Sequence, residues 1–239
     1  MCTSIVSNIG KTVIGWNLDI LGMEYRVRPT PDGVYIEIND VTEGWMPLFG
    51  ANKRGEFVAM PTCWPYDSRS DMKDDTPCII NLDIDLLLEK KTFSEIMKIA
   101  ECGNISSING TTFQAQLSDA CGNVLQIIPG QGYRYLERPA YSIMTNFSPF
   151  KMDSEAHPWM GWDRYQTAEK MMKGFKDKFD VTDCFSQKEA SAGSSLPHDG
   201  QVTVILAVPT GFPQYLQNLL CFGISFPQWG QLILNNPML

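Results

Sequence analysis

The 239-residue sequence predicts a layered α+β domain with largely antiparallel sheets. Short runs rich in β-branched and aromatic residues recur along the chain and are separated by Gly, Asn, Asp and Pro. Two stretches carry a helical period instead, and the resulting order of strands, helix, strands, helices, strands is that of a layered domain. No internal repeat divides the chain, so residues 1–239 read as a single domain.

The elements follow in order. Residues 2–7 and 11–19 form two strands around a turn at Asn8 and Gly10, and this hairpin returns Asp19 towards the chain start. Residues 25–28, 33–38 and 57–61 are further strands, and the alternation over 33–38 fits one wet face. Residues 64–77, rich in Asp, Ser, Lys and Pro, read as an exposed loop. Thr92 and Glu95 have the spacing of a capping box. Phe93, Ile96, Met97 and Ala100 then give the helix an apolar face, and Gly103 can end it. Strands resume at 112–117, 124–128, 133–137 and 142–147, with a hairpin turn over 119–123. The clearest helix spans 163–179, where Tyr165, Ala168, Met171 or Met172, Phe175 and Phe179 recur at helical spacing. Asp163 is its expected N-cap, with Gln166 three residues on. Residues 181–200 are polar, a short helix and a loop. Residues 201–208 form a strongly β run, and 215–222 fit a strand.

Composition narrows the function. Hydrophobic residues make up 44% and charged residues 19%, the balance of a globular protein. A net charge of −8 argues against nucleic acid as partner, because little could neutralise phosphates. No apolar run approaches the roughly 18–20 residues of a membrane span, and no signal peptide is expected. Seven cysteines without a CxxC pair suggest free thiols in a reducing cytoplasm. His157 and His198 are the only histidines and neither sits in a motif, so a zinc site or a Ser-His-Asp triad has little support. No metal or organic cofactor is implied.

The chemistry-bearing stretch is Met1-Cys2-Thr3. Removal of Met1 ahead of a small residue would leave one residue holding a thiol and a free α-amine. Their ordinary pKa values, about 8.5 and about 7.7–8.0, make the amine a proton acceptor and the thiol a latent nucleophile near neutral pH.

Four stretches in sequence, Met1-Cys2-Thr3, Gly15-Trp16-Asn17-Leu18-Asp19, Met144-Thr145-Asn146-Phe147 and Asp163-Arg164-Tyr165, resemble the choloylglycine hydrolase family. That family holds bile acid hydrolases, penicillin V acylases and related linear-amide hydrolases, all N-terminal-nucleophile (Ntn) hydrolases. Weaker echoes are Gly50–Gly55 and Ser118–Asn123. The resemblance implies a four-layer αββα sandwich of two mainly antiparallel sheets. It also implies a cysteine amidase cleaving a non-peptide linear amide through a thioester. Cys2 would be the nucleophile, Asp19 the carboxylate orienting the terminal amine, Asn146 the amide facing the oxyanion or that amine, and Arg164 a fixed charge beside the thiol.

Two positions depart from the family pattern. Trp16 stands where members commonly carry Arg, and no Asn lies near residues 61–65, where a second oxyanion donor is expected. Thr62 aligns best there. Trp16, Trp64, Tyr66, Phe147 and Trp159 are candidates to line an acyl pocket, core packing being the alternative for each. The chain also lacks the middle insertion that supports tetramers in the longer enzymes, so a homo-oligomer stays open. An acyltransferase using Cys2, a ligand-binding protein that has lost activity, and a thiol redox protein remain alternatives to an amidase acting on a small N-acyl amide.

Overall fold

In the computed structural model the described residues are 2–19, 23–64, 76–108, 110–151, 161–180, 183, 201–208, 221–224 and 232–235. The hairpin at the chain start is present as β1 (Thr3–Ser7) and β2 (Thr12–Asp19). Its register pairs Thr3 with Asn17 and Ser7 with Val13. Two strands from far along the chain flank it. These are β10 (Tyr141–Met144) beside β1 and β11 (Gln201–Val208) beside β2, giving a four-stranded antiparallel sheet in the order β10-β1-β2-β11.

The second sheet is a seven-stranded antiparallel meander in sequence order. Its strands are β3 (Tyr25–Thr30), β4 (Gly33–Asp40), β5 (Gly44–Asn52), β6 (Phe57–Ala59), β7 (Ala115–Ser118), β8 (Val124–Ile128) and β9 (Gly132–Leu136). Between β6 and β7 lie α1 (Ile79–Leu87) and α2 (Phe93–Glu101), and α3 (Trp162–Met172) follows β10. A separate hairpin pairs β12 (Cys221–Ile224) with β13 (Leu232–Asn235).

Pleating divides the side chains into layers. Val6, Ile14 and Trp16 from the small sheet meet Val34, Ile36, Phe49, Phe57 and Val124 from the large one, forming the core between sheets. The opposite face of the large sheet, with Tyr35, Val58, Leu117 and Leu125, packs on α1 and α2. The opposite face of the small sheet, with Ile5, Val13 and Ile143, packs on Ala168 and Met172 of α3. Helix, sheet, sheet and helix therefore stack as the αββα sandwich.

The capping box at α2 is complete, with Thr92 accepting from the Glu95 backbone and Glu95 reaching back to Thr92. Glu56 adds an anion at the same helix start by accepting the Phe93 N–H at 3.0 Å. Other expectations are corrected. The helix placed over 163–179 spans Trp162–Met172 and is capped by Gly161 rather than Asp163, which lies one residue inside its start. Gly174 follows the last turn, and the chain folds back so that the Phe179 N–H donates to Ile9 O at 3.1 Å. Phe175 and Phe179 thus reach the core from outside the helix. The strand expected over 112–117 begins at Ala115, and the one over 142–147 is confined to Tyr141–Met144. The strand over 57–61 ends at Ala59. Strands β5 and β13 and helix α1 are additions. The loop over 65–75 and most of 181–200 lie outside the described residues. Among the described residues no helix is long and apolar enough to cross a membrane.

Candidate active site

The register of the small sheet fixes the first contact. Ser4 pairs with Met144, so two further residues on each strand set Cys2 beside Asn146, just beyond the end of β10. The Cys2 backbone nitrogen donates to Asn146 Oδ1 at 2.7 Å, and both residues are buried. Arg164, in the first turn of α3, closes the group. Its Nη2 donates to Asn146 Oδ1 at 2.8 Å, and its Nη1 donates to Thr3 Oγ1 at 2.8 Å and to the Cys2 carbonyl.

A cation is electrostatically misplaced at a helix N-terminus, so the guanidinium is held by what it reaches rather than by its own helix. Gly161 makes room for it. This residue caps α3 in the left-handed region (φ 94°), and a Cβ there would lie 2.7 Å from Arg164 Nη2 and 2.9 Å from Thr145 Oγ1. Thr145 Oγ1 in turn donates to Gly161 O at 3.1 Å.

The far side of Asn146 faces Thr62. Asn146 Nδ2 donates to Thr62 O at 3.0 Å and to Thr62 Oγ1 at 2.9 Å. These partners settle which way the amide points. A guanidinium and a backbone N–H can only donate, so they require the oxygen. A backbone carbonyl can only accept, so it requires the nitrogen. The Thr62 segment is itself anchored on two sides, with Cys63 N–H on Thr112 O at 2.7 Å and Trp64 N–H on Asn146 O at 2.6 Å.

No protein-family model and no curated protein sequence matches the chain. Solved structures do. A cysteine-to-alanine variant of conjugated bile acid hydrolase from Clostridium perfringens aligns with a TM-score of 0.61 at 14% identity. The alignment covers 98% of this chain and 93% of that one. An arginine-to-leucine variant of the same hydrolase gives 0.58 at 14% identity, over 94% of this chain and 89% of that one. Penicillin V acylase from Agrobacterium tumefaciens gives 0.52 at 12% identity, over 87% and 82%. The chain shares their fold. At such identity the likeness extends to architecture, and the site has to be argued from its own atoms.

Of the residues singled out in the sequence, Cys2, Asn146, Arg164 and Thr62 are joined in one hydrogen-bonded group. Asp19 closes β2 opposite Gln201, next to Leu18, but its side chain lies outside the described set. Trp16 is 1% exposed and sits opposite Ser4 in the inter-sheet core, edge-on to Phe49 with ring centroids 4.3 Å apart. Its Nε1 has no hydrogen-bond partner among the described residues. Phe147 is buried and meets Trp162 and Tyr165 edge-on, each at 5.5 Å, while Trp64 bridges to it through the backbone. Tyr66 and Trp159 lie outside the described residues, as do both histidines.

Sequence reasoning missed Thr3, Gly161 and Trp162. A glycine directly before an aromatic and acidic helix start was the available signal for Gly161, whereas nothing local marked Thr3. Among the described residues no group of three or more His, Cys, Asp or Glu could hold a metal ion.

Proposed function

We propose that the protein is an Ntn-type cysteine amidohydrolase of the choloylglycine hydrolase kind, cleaving a linear N-acyl amide with Cys2 as nucleophile. The observation that carries this reading is Asn146 Oδ1 accepting from both the Cys2 nitrogen and Arg164. Removal of Met1 would convert that nitrogen from an amide to an α-amine already held in place. A neutral amine accepts the thiol proton, and the fixed guanidinium favours both the neutral amine and the thiolate. Asp19, at the end of the adjacent strand, is assigned the orienting carboxylate.

The thiolate sulfur bonds to the acyl carbon and the carbonyl π pair moves onto oxygen. Because Asn146 Nδ2 is directed at Thr62, we assign the oxyanion to the Thr62 hydroxyl. That hydroxyl accepts from Asn146 and keeps its own O–H to donate. Collapse of the intermediate re-forms the carbonyl and breaks the C–N bond, and the leaving nitrogen takes the proton from the α-ammonium. Water, deprotonated by the freed amine, then attacks the thioester. The acid is released and the thiol regains its proton. Trp64, part-exposed beside Thr62, is assigned to the wall near the acyl group, where an apolar ring suits an apolar acyl chain, whereas Trp16 and Phe147 are packed in the core. The structural neighbours named as a conjugated bile acid hydrolase and a penicillin V acylase support a linear amide as the bond cleaved.

Intact mass of the expressed protein should show loss of Met1. A panel of N-acyl amides should be hydrolysed by the wild type and not by Cys2→Ala, with a trapped acyl group mapping to Cys2. Met1 loss without turnover or acylation of Cys2 would overturn the amidase and leave a ligand-binding protein. Turnover that requires an added amine would make it an acyltransferase.

A further inference from the structure

Gln114 lies far from Cys2 in sequence and leads into the other sheet, yet its side chain grips the segment that carries Asn146. It precedes β7, is fully buried, and its Nε2 donates to Thr145 O at 2.8 Å and to Phe147 O at 3.1 Å. These are the carbonyls on either side of Asn146. Its Oε1 has no partner among the described residues, so only the donor end of this amide is used. Two residues on, Gln116 also crosses the gap and donates from Nε2 to Ser4 Oγ at 2.8 Å, two residues from Cys2. Its Oε1 accepts from Ser142 Oγ of β10 at 2.7 Å and from Gln126 Nε2 of β8 at 3.2 Å.

We propose that Gln114, backed by Gln116, is a positioning residue that sets the Cys2–Asn146 geometry from across the sandwich. The physical reason lies in what an apolar inter-sheet core cannot do. Dispersion and burial are non-directional, so they hold two apolar sheet faces together without aiming any one polar group. Amide hydrogen bonds have one length and one partner, and in a buried site an unmade bond is costly. Gln116 pins β1 and β10, the strands that lead to Cys2 and Asn146. Gln114 pins the turn beyond β10 by both flanking carbonyls, which leaves the Asn146 side chain little freedom to rotate its oxygen away from residue 2.

The test is Gln114→Met, which keeps volume and removes both donated bonds. The primary readout is the pH dependence of Cys2 alkylation by iodoacetamide, followed at the Cys2 peptide by mass spectrometry. It needs no substrate and is independent of the amidase reading. A melting curve alongside reports folding. The variant should stay folded, and the pH profile of its Cys2 alkylation should differ from that of the wild type as Asn146 and Arg164 loosen. On the amidase reading, kcat should also fall on the order of 10- to 100-fold with KM little changed, the effect of misplacing a reacting group by about 1 Å. A folded Gln114→Met with the wild-type alkylation profile overturns the proposal, whatever the wild type does with amides. A shifted profile in a protein that hydrolyses nothing upholds it and defeats the amidase alone. Should Gln114→Met fail to fold, Gln114→Glu keeps the length and, protonated in this buried position, one donor in place of two. It is judged by the same profile, with a smaller shift expected and an unchanged profile again overturning the proposal.

Discussion

Arg164 and Cys2 stand 162 residues apart in sequence, yet Arg164 Nη1 donates to the Cys2 carbonyl. The same guanidinium spans Thr3 Oγ1 and Asn146 Oδ1. One planar fork thus ties the chain start, the end of β10 and the start of α3. A lysine carries the charge but cannot satisfy three oxygens in that arrangement. Arg164→Lys should therefore lower amide turnover about 100-fold or more while retaining the fold. Steady-state kinetics beside a melting curve would check this. Arg164→Met, which leaves all three oxygens without the fork, should also melt at lower temperature.

Gly161 should be intolerant of any side chain. Its φ of 94° costs an L-residue about 1–2 kcal/mol, and the new Cβ would fall 2.7 Å from Arg164 Nη2. Gly161→Ala should lose stability by about that amount in denaturant melts and should lose turnover as well. Loss of stability with full turnover would show that Arg164 can retreat without consequence.

The strand hairpin and the α2 capping box were legible because each is written in contiguous residues. Thr92 and Glu95 need only each other and the intervening turn. Strand β5 was not legible because Pro47 interrupts it. The structure accommodates Pro47 opposite Glu37, beside a register shift at Ile36/Glu37, a bulge that no local pattern announces. The start of α3 misled for a related reason. Asp163 looks like a cap, but Gly161 holds that place because the backbone must turn left-handed for Arg164 to reach Asn146. At the site, Cys2, Asn146 and Arg164 could be picked out by resemblance. The donor on Thr62 could not be turned into a geometry until the amide of Asn146 was seen to face it.

Asp83 is a liability far from the site. It lies on α1 with no exposure, both carboxylate oxygens lack a partner among the described residues, and burial pushes its carboxyl well above the usual range. A group whose pKa rises on folding supplies stability below its unfolded pKa, about 3.9, and loses it as pH climbs towards the folded value. Asp83→Asn removes the titration. Relative to the wild type, the variant should gain stability progressively above about pH 4, read as the difference between denaturant midpoints measured from pH 4 to 8. A constant difference across that range would show that folding leaves the Asp83 pKa where it is in the unfolded chain.

Thr62 separates two accounts of the oxyanion. Its carbonyl and its hydroxyl both accept from Asn146 Nδ2, so Thr62→Val keeps the carbonyl bond that orients Asn146 and removes the hydroxyl, both as acceptor and as O–H donor. If that O–H meets the developing negative charge, its loss should cost about 100- to 1000-fold in kcat with little change in KM, the scale of a deleted oxyanion donor. Thr62→Ser restores the hydroxyl and should stay within about tenfold of the wild type, the extra loss reflecting a less constrained rotamer. A Val variant as active as the Ser variant would move the oxyanion to a backbone N–H and leave Thr62 only its hold on Asn146.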